Sequence, residues 1–496
     1  MNTIKKLLVA NRGEIALRIM RSAREMGLRT VAVYSQADRL APHTRFADEA
    51  VAIGPPPSTE SYLKVDRILA AAQATHADAI HPGYGFLSEN ASFAQRVQEA
   101  GITFVGPSPE AIRTMGSKLA AKAAVANFSV PLVPGTDHAV TTVEEAQAAA
   151  ARIGYPVLIK ASAGGGGKGM RIVATEAELP EQMERAVSEA QSAFGDGSVF
   201  IEKFIVGPKH IEIQLLGDQH GNHVYLFERE CSIQRRYQKV IEEAPSPSIT
   251  DETRRAMGEA AVQVAKACDY VGAGTVEFVM GQDQQFYFLE MNTRLQVEHP
   301  VTELITGLDL VKEQLRIAAG HPLSLQQEDL RIHGHALELR VYAEDPTNDF
   351  LPDTGTLTTY RRPQGPGVRV DDGLEEGMEV PVYYDPMIAK LIVHAGNRNE
   401  AIQRLLRAID EYHISGVATT LSFGRFVMQH PEFVSGRFTT KFVEDHFTPE
   451  ALQPPLSEAQ KEIAATLAAH LAKQTTKTIL PKPRGVSHRW KKQRGF

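Results

Sequence analysis

The chain has 496 residues, 43% hydrophobic and 23% charged, which excludes a disordered or low-complexity chain and suggests about three domains. Its 53 basic and 60 acidic residues leave a net charge of −7, so no overall positive field attracts nucleic acid. Only two cysteines occur, Cys231 and Cys268, which argues against a disulfide scaffold or a cysteine zinc site, and no apolar run reaches the roughly 18 residues of a membrane span.

The N-terminal apolar stretch follows Lys5 and Lys6 and runs straight into Asn11-Arg12-Gly13-Glu14. It is too short for a signal-peptide core and reads as a first strand over 7–10, so a cytoplasmic protein is expected. The spacing of Ile15, Ile19 and Met26 predicts a helix over 15–26, with further strands over 30–34, 79–80 and 103–105. Strand–helix alternation of this kind builds a mainly parallel sheet covered by helices. The turn at Asn11-Arg12-Gly13 lacks G-x-G-x-x-G, which argues against a dinucleotide site.

A second region opens near Ser117-Lys118, with Pro131, Pro134 and Gly135 punctuating a connection. A helix over 143–152 and strands over 156–160 and 170–173 frame Lys160-Ala161-Ser162-Ala163-Gly164-Gly165-Gly166-Gly167-Lys168-Gly169. Consecutive glycines let backbone N–H groups crowd phosphate oxygens without side-chain clash. Lys168 is followed by Gly169 and a β-type run, not by Ser or Thr and a helix, so this is no P-loop. A mobile lid over a triphosphate, joining two antiparallel strands, fits better than a plain surface hairpin.

Strands follow over 199–204, 210–216 and 223–229, then a helix over 251–267, strands over 275–280 and 285–290, and a helix over 308–319. The charged run from Glu228 to Lys239 reads by default as a solvated loop, although its cations could hold phosphates or a small anion. Glu277 and Glu290 each sit inside an apolar strand. A hairpin centred between Asp283 and Gln284 sets these two carboxylates opposite each other. Their repulsion, sharpened by burial, is relieved by a divalent cation, and hard oxygen ligands suit Mg²⁺ or Mn²⁺. Asn292, on the same face, adds an amide oxygen. Arg294 and Glu298 leave the same strand, an arrangement suited to anion stabilisation and general-base work. Neither cysteine has a partner pattern for nucleophilic chemistry.

A third region carries strands over 336–342, 367–370 and 387–394 and a helix over 400–412. Beyond Pro454-Pro455, Ser457 and Gln460 form a capping-box pattern ahead of a helix with Ile463, Leu467 and Leu471 at a spacing of four. From Lys473 onward there are eight Lys/Arg, no acidic residue, and the sole tryptophan, Trp490. A solvated tail is the bland reading and docking on an acidic partner surface the sharper one.

In this order, Ala10-Asn11-Arg12-Gly13-Glu14-Ile15-Ala16, His81-Pro82-Gly83-Tyr84-Gly85-Phe86-Leu87-Ser88-Glu89-Asn90, the glycine run, Glu290-Met291-Asn292-Thr293-Arg294 and Gln296-Val297-Glu298-His299-Pro300 form a specific set. Over about residues 4–446 the chain resembles biotin carboxylase, an ATP-grasp enzyme. The resemblance implies an α/β fold in four parts: a Rossmann-like parallel sheet at 1–116, an ATP-grasp domain at 117–320 with a mobile lid at about 134–204, a mixed α/β domain at 321–447, and a helical and basic tail at 448–496. It implies ATP, Mg²⁺ or Mn²⁺, and biotin presented as a substrate on another chain. Lys118 and Lys160 would contact ATP phosphates, with Gly165 and Gly166 in the lid. Glu202, Lys203, Phe204 and Ile205 would line the adenine pocket. His210 would reach the ribose, and Gln234 and position 237 would lie at the nucleotide. Glu277, Glu290 and Asn292 would bind metal. Lys239, Arg294, Gln296 and Val297 would hold bicarbonate, Glu298 would be its base, Arg294 would stabilise the biotin enolate, and Arg340 would orient biotin or carboxyphosphate.

One departure is visible: Tyr237 stands where the family motif often has histidine, which puts one nucleotide contact in question. Tyr384-Asp385-Pro386-Met387 and Thr440-Lys441-Phe442 resemble the propionyl- and methylcrotonyl-type subunits, hence an acyl-CoA carboxylase in fatty acid or propionate metabolism. The biotin-attachment pattern and a carboxyltransferase segment are not seen. The expected partners are therefore a biotin carboxyl carrier protein, a carboxyltransferase subunit and a second copy in a homodimer, with neither nucleic acid nor membrane. The competing reading is another ATP-grasp ligase joining bicarbonate or a carboxylate to an amine.

Overall fold

The computed structural model describes residues 4–136, 138–161, 170–194, 197–452 and 458–475. Five parallel strands open the chain: β1 (Lys6–Val9), β2 (Arg29–Ser35), β3 (Glu49–Gly54), β4 (Ala79–His81) and β5 (Thr103–Phe104), ordered β3-β2-β1-β4-β5. The apolar run of β1 is buried on both faces, as central parallel strands require. Leu7 and Val9 pack with Ile15 and Ile19 of the helix Gly13–Glu25, while Leu8 packs on the opposite side with Val31, Val33 and Phe93. The turn after β1 is tied down internally. Asn11 donates to the carbonyls of Pro82 and Tyr84 at 2.8 Å each, and Arg12 forms a two-pronged pair with Asp38 at 2.7 Å.

A small antiparallel sheet follows, with β6 (Val157–Ala161) between β7 (Met170–Val173) and β8 (Val199–Lys203). The helices Val143–Ile153 and Leu179–Phe194 cover it, burying Ala146, Ala150 and Met183 against Val157, Ile159 and Ile201. The expected antiparallel frame around the glycine run is present. The run itself, including Gly165 and Gly166, lies outside the described residues.

The centre is one eight-stranded antiparallel sheet. It contains β9 (Lys209–Gly217), β10 (His223–Arg235), β11 (Gln238–Ala244), β12 (Gly272–Met280), β13 (Phe286–Asn292), β14 (His335–Tyr342), β15 (Val368–Asp372) and β16 (Met387–Ala395), ordered β13-β12-β9-β10-β11-β14-β16-β15. Pairing of β11 with β14 carries it without a break across the second and third sequence regions. One face of β11, β14 and β16 buries Ile241, Leu339 and Leu391 under the helices Arg398–Glu411 and Leu421–Gln429. The other face carries charge.

Here the loop expected over 228–239 is corrected. It is the second half of β10, a two-residue turn and the start of β11. Arg236 and Tyr237 form that turn with φ of +50° and +67°, as a tight antiparallel hairpin demands. Its charges misled because Glu228, Arg229 and Glu230 are buried.

Beyond Phe447 the described residues belong to a separate unit that contains the helix Glu458–Thr475. Ile463, Leu467 and Leu471 are exposed on that helix. The cap residue Ser457 and the basic stretch beyond 475, including Trp490, lie outside the described residues. Among the described residues no helix is long and apolar enough to cross a membrane.

Candidate active site

Strands β12 and β13 bring Glu277 directly opposite Glu290. The route differs from a plain hairpin. The turn is centred on Asp283, because Gly281 and Gln285 pair and Met280 faces Phe286. With that centre alone Glu277 would miss Glu290 by one residue. A register shift between Glu277 and Phe278 inserts the half-exposed Leu289 and restores the acid pair. Such a bulge re-aims side chains at a functional edge.

Glu277 is buried and meets cations and amides rather than its fellow acid. Lys239 Nζ donates to its Oε1 at 2.9 Å, as do the amides of Asn292 and Gln296. His210 Nε2 lies 2.9 Å from Oε2. Burial pushes the carboxyl up, but Lys239 and His210 outweigh it and hold Glu277 well below the usual carboxylate range. The Asn292 oxygen accepts from Arg294 Nη2 at 2.9 Å, and Arg294 Nε donates to Glu89 at 2.8 Å. The donor set fits a hard divalent ion: Glu277 and Glu290 are opposed carboxylates, with Asn292 against Glu277. His210, Glu212 and Glu277 also place ligand atoms within 4.8 Å of one another.

Lys239 is the hub. It also donates to Glu212 and, at 2.8 Å, to Glu298. Burial lowers its pKa, but three carboxylates overcome that and drive it well above the ordinary lysine value. Glu298 immediately precedes the helix His299–Thr306, whose N-terminal partial positive charge favours an anion, although its side chain makes no capping hydrogen bond. Its second oxygen accepts from Arg340 Nη2 at 2.9 Å. Burial raises Glu298, yet Lys239, Arg340 and Arg229 hold it far below the usual range, so it is ionised. Arg229 is wholly buried and reaches Glu212, Gln214, Thr275, Gln296 and Thr302. Cys231 Sγ lies within 4.8 Å of the oxygens of Glu212 and Glu298, and burial pushes its thiol well up, which fits a packing role.

Beyond Arg340 the charge sign changes. Arg340 Nε donates to Glu242 Oε1 at 2.7 Å, and Glu242 faces Glu338 across β11 and β14. Both Glu338 oxygens and Glu242 Oε2 are buried without a hydrogen-bond partner. Burial, opposed by Lys390 and reinforced by Glu242, raises Glu338 well above the carboxylate range, and Glu242 rises to about 7. Glu338 therefore favours its neutral form. Above the ordinary value of 4.5 the folded chain holds a proton that the unfolded chain has lost. Each pH unit above it costs about 1.4 kcal/mol of stability until the folded value is reached. Glu338→Gln keeps the neutral shape, so its melting temperature should gain on the native chain as the pH rises above 4.5. Parallel pH dependences would contradict the neutral assignment.

On the nucleotide side, Glu202 accepts from Lys160 at 2.6 Å and Lys122 at 2.8 Å. Lys203 turns away to the carbonyls of Gly154 and Tyr155, and Phe204 and Ile205 continue the chain half-buried. The Lys118 side chain lies outside the described residues. Gln234 is buried against the Cys231 carbonyl at 2.8 Å. Tyr237 is 75% exposed at the hairpin tip, three residues beyond Gln234. A cavity of about 540 Å³ opens beside Arg294, Val297 and Arg340 and is walled by Tyr84, Phe86 and Tyr384. Sequence reasoning missed Glu89, Glu212, Arg229 and Glu242; the available signal was a charged residue alternating with apolar ones, as in Ile211-Glu212-Ile213.

Family models match almost end to end. Residues 3–112 match the biotin carboxylase N-terminal domain, 117–326 the ATP binding domain of the carbamoyl-phosphate synthase L chain, and 338–445 the biotin carboxylase C-terminal domain. The chain is 53% identical to biotin carboxylase 1 of Bacillus subtilis, over 89% of this chain and 99% of that one. It is 50% identical to the propionyl-CoA carboxylase alpha chain of Ruegeria pomeroyi, over 95% and 73% respectively. It superposes with a TM-score of 0.82 and 48% identity, over 92% of this chain and all of the other, on the biotin carboxylase domain dimer of Hydrogenobacter thermophilus 2-oxoglutarate carboxylase, a complex with MgADP, ADP and bicarbonate. The chain belongs to the biotin carboxylase family of ATP-grasp ligases.

Proposed function

We propose that this chain uses ATP and bicarbonate to carboxylate biotin carried on a separate protein, as the first half-reaction of an acyl-CoA carboxylase. The observation that carries the reading is Glu298, buried and ionised, clamped between Lys239 and Arg340 beside the Glu277–Glu290 pair. A relative that binds MgADP and bicarbonate supports it. We take 1–116, 117–320 and 321–447 as the functional parts, in a cytoplasmic homodimer served by a carrier protein and a carboxyltransferase. A dimeric relative supports the homodimer, and relatives named as propionyl-CoA and methylcrotonoyl-CoA carboxylase alpha chains support the acyl-CoA acceptor.

The residues divide the chemistry. A divalent ion held by Glu277, Glu290 and Asn292 would supply charge neutralisation at the triphosphate. Lys160, released from Glu202, would meet phosphate oxygens, with Lys118, Gly165 and Gly166 beside it. Glu202, Lys203, Phe204 and Ile205 would bound the adenine, with His210 and Gln234 alongside. Lys239, Arg294, Gln296 and the Val297 backbone would hold bicarbonate against Glu298. A base so strongly depressed takes a proton only when its cations are shared, and an incoming anion between Lys239 and Arg294 does this. The deprotonated bicarbonate oxygen attacks the γ-phosphorus and ADP leaves. Carboxyphosphate then yields CO₂ and phosphate. Phosphate takes the N1′ proton of biotin, Arg294 stabilises the resulting enolate, and the enolate attacks CO₂ while Arg340 orients the ring.

The test is ADP release by purified protein with MgATP, bicarbonate and free biotin. Biotin-dependent release is expected; release that needs ammonia or an amine in place of biotin would overturn the reading. Lys160→Gln should raise KM for MgATP about tenfold, the cost of one charge-assisted contact, with kcat less affected. An unchanged KM in steady-state kinetics would remove Lys160 from the nucleotide site.

A further inference from the structure

Lys390 has no part in the chemistry above, yet its side chain is wholly buried in β16. Its Nζ donates to the carbonyl of Val297 at 2.9 Å. Glu14 Oε1 lies 3.3 Å away, Asp371 Oδ2 3.9 Å away, and the Tyr84 ring centre 6.0 Å away. A buried ammonium is costly and is retained only where its contacts are well made. Its place is also awkward, because the register sets Lys390 directly opposite Arg340, cation against cation.

The awkward placement is explained by what lies over it. Gln296, Val297 and Glu298 are three consecutive residues, each gripped by a buried cation from a different strand. Arg229 of β10 holds the Gln296 side chain at 2.6 Å. Lys390 of β16 holds the Val297 carbonyl, and Arg340 of β14 holds the Glu298 carboxylate at 2.9 Å. The peptide that Lys390 grips is the one whose N–H belongs to Glu298. A planar trans peptide fixes that N–H opposite the carbonyl, so anchoring one end sets the direction in which the Glu298 backbone starts. Glu14, which accepts from Tyr84 as well, ties the same ammonium to the first turn of the helix Gly13–Glu25.

We propose that Lys390 is a positioning residue for the acid–base centre: by anchoring the Val297 carbonyl it fixes the angle at which Glu298 meets bicarbonate. This rests on the reading of Glu298 as the base. Misplacement by about 1 Å costs up to about 100-fold in rate, so the effect belongs in kcat with bicarbonate and not in nucleotide affinity.

The experiment measures kcat, KM for MgATP and KM for bicarbonate in Lys390→Met, made in a Glu14→Gln background so that Glu14 is not left as an unpaired carboxylate, while Asp371 keeps Arg369 at 2.7 Å, with Glu14→Gln alone as the reference. Lys390→Met should lower kcat about 10- to 100-fold and leave KM for MgATP within about twofold. Lys390→Arg should recover part of the rate. A cycle with Glu298→Asp, a base already displaced, separates the two readings. In that background Lys390→Met should cost less than threefold, because the angle it protects is already lost. An unchanged kcat in Lys390→Met, a loss confined to KM for MgATP, or losses that multiply fully in the cycle would each overturn the positioning role. Wild-type turnover in Glu298→Asp and Glu298→Gln would instead overturn the base assignment.

Discussion

Glu298→Gln is expected to abolish carboxylation while the protein still binds MgATP. The side chain keeps its size but loses its proton-accepting charge, and general-base catalysis contributes about 10²- to 10⁴-fold. The fold should tolerate the change. Lys239 retains Glu212 and Glu277, and Arg340 retains Glu242, so neither cation is left alone in the interior. The change also alters acid behaviour. The folded carboxyl lies far below its ordinary value of 4.5, so its stabilising contribution is present above that pH and fades as the pH falls toward the folded value. Glu298→Gln should therefore show a smaller loss of melting temperature on acidification than the native chain. Kinetics with a nucleotide titration decide the catalytic part; normal turnover would remove Glu298 from the chemistry.

The second large effect is on metal dependence. Glu277→Gln removes one of the two opposed carboxylates and should raise the Mg²⁺ concentration for half-maximal activity by at least about tenfold, the worth of a charge-assisted contact. It also frees Lys239 from one partner, which complicates kcat. Glu290→Gln supplies the check, because it removes the opposed carboxylate while leaving the Lys239–Glu277 contact in place. A shared shift in Mg²⁺ requirement in both variants identifies a metal pair. An unchanged requirement in both would leave Glu277 as a structural partner of Lys239 and His210.

How much of this could be read from residues depends on whether the signal is local. Strand–helix alternation gave the opening parallel sheet, because β1 carries its burial in a short apolar run. The helix Asp251–Ala267 was legible end to end, with Thr250 accepting from Thr253 at its cap. The acid pair was found by a symmetric-turn argument that holds above the bulge and fails below it; Phe278 faces Phe288, not Leu289. The run from Glu228 to Lys239 was misread because charge density was taken for exposure. Arg229, wholly buried with five side-chain partners, shows that charge turned inward has the same composition as charge turned outward. The joining of β11 to β14 and the clamp over 296–298 were not legible, since they depend on pairing between segments about a hundred residues apart, as Glu242 and Glu338 are.

The direct measurement of the central claim follows oxygen from bicarbonate. If Glu298 readies bicarbonate to attack the γ-phosphorus, turnover with bicarbonate carrying heavy oxygen should place one labelled oxygen in each phosphate released, in step with biotin carboxylation. Phosphate free of label during biotin-dependent turnover would contradict it.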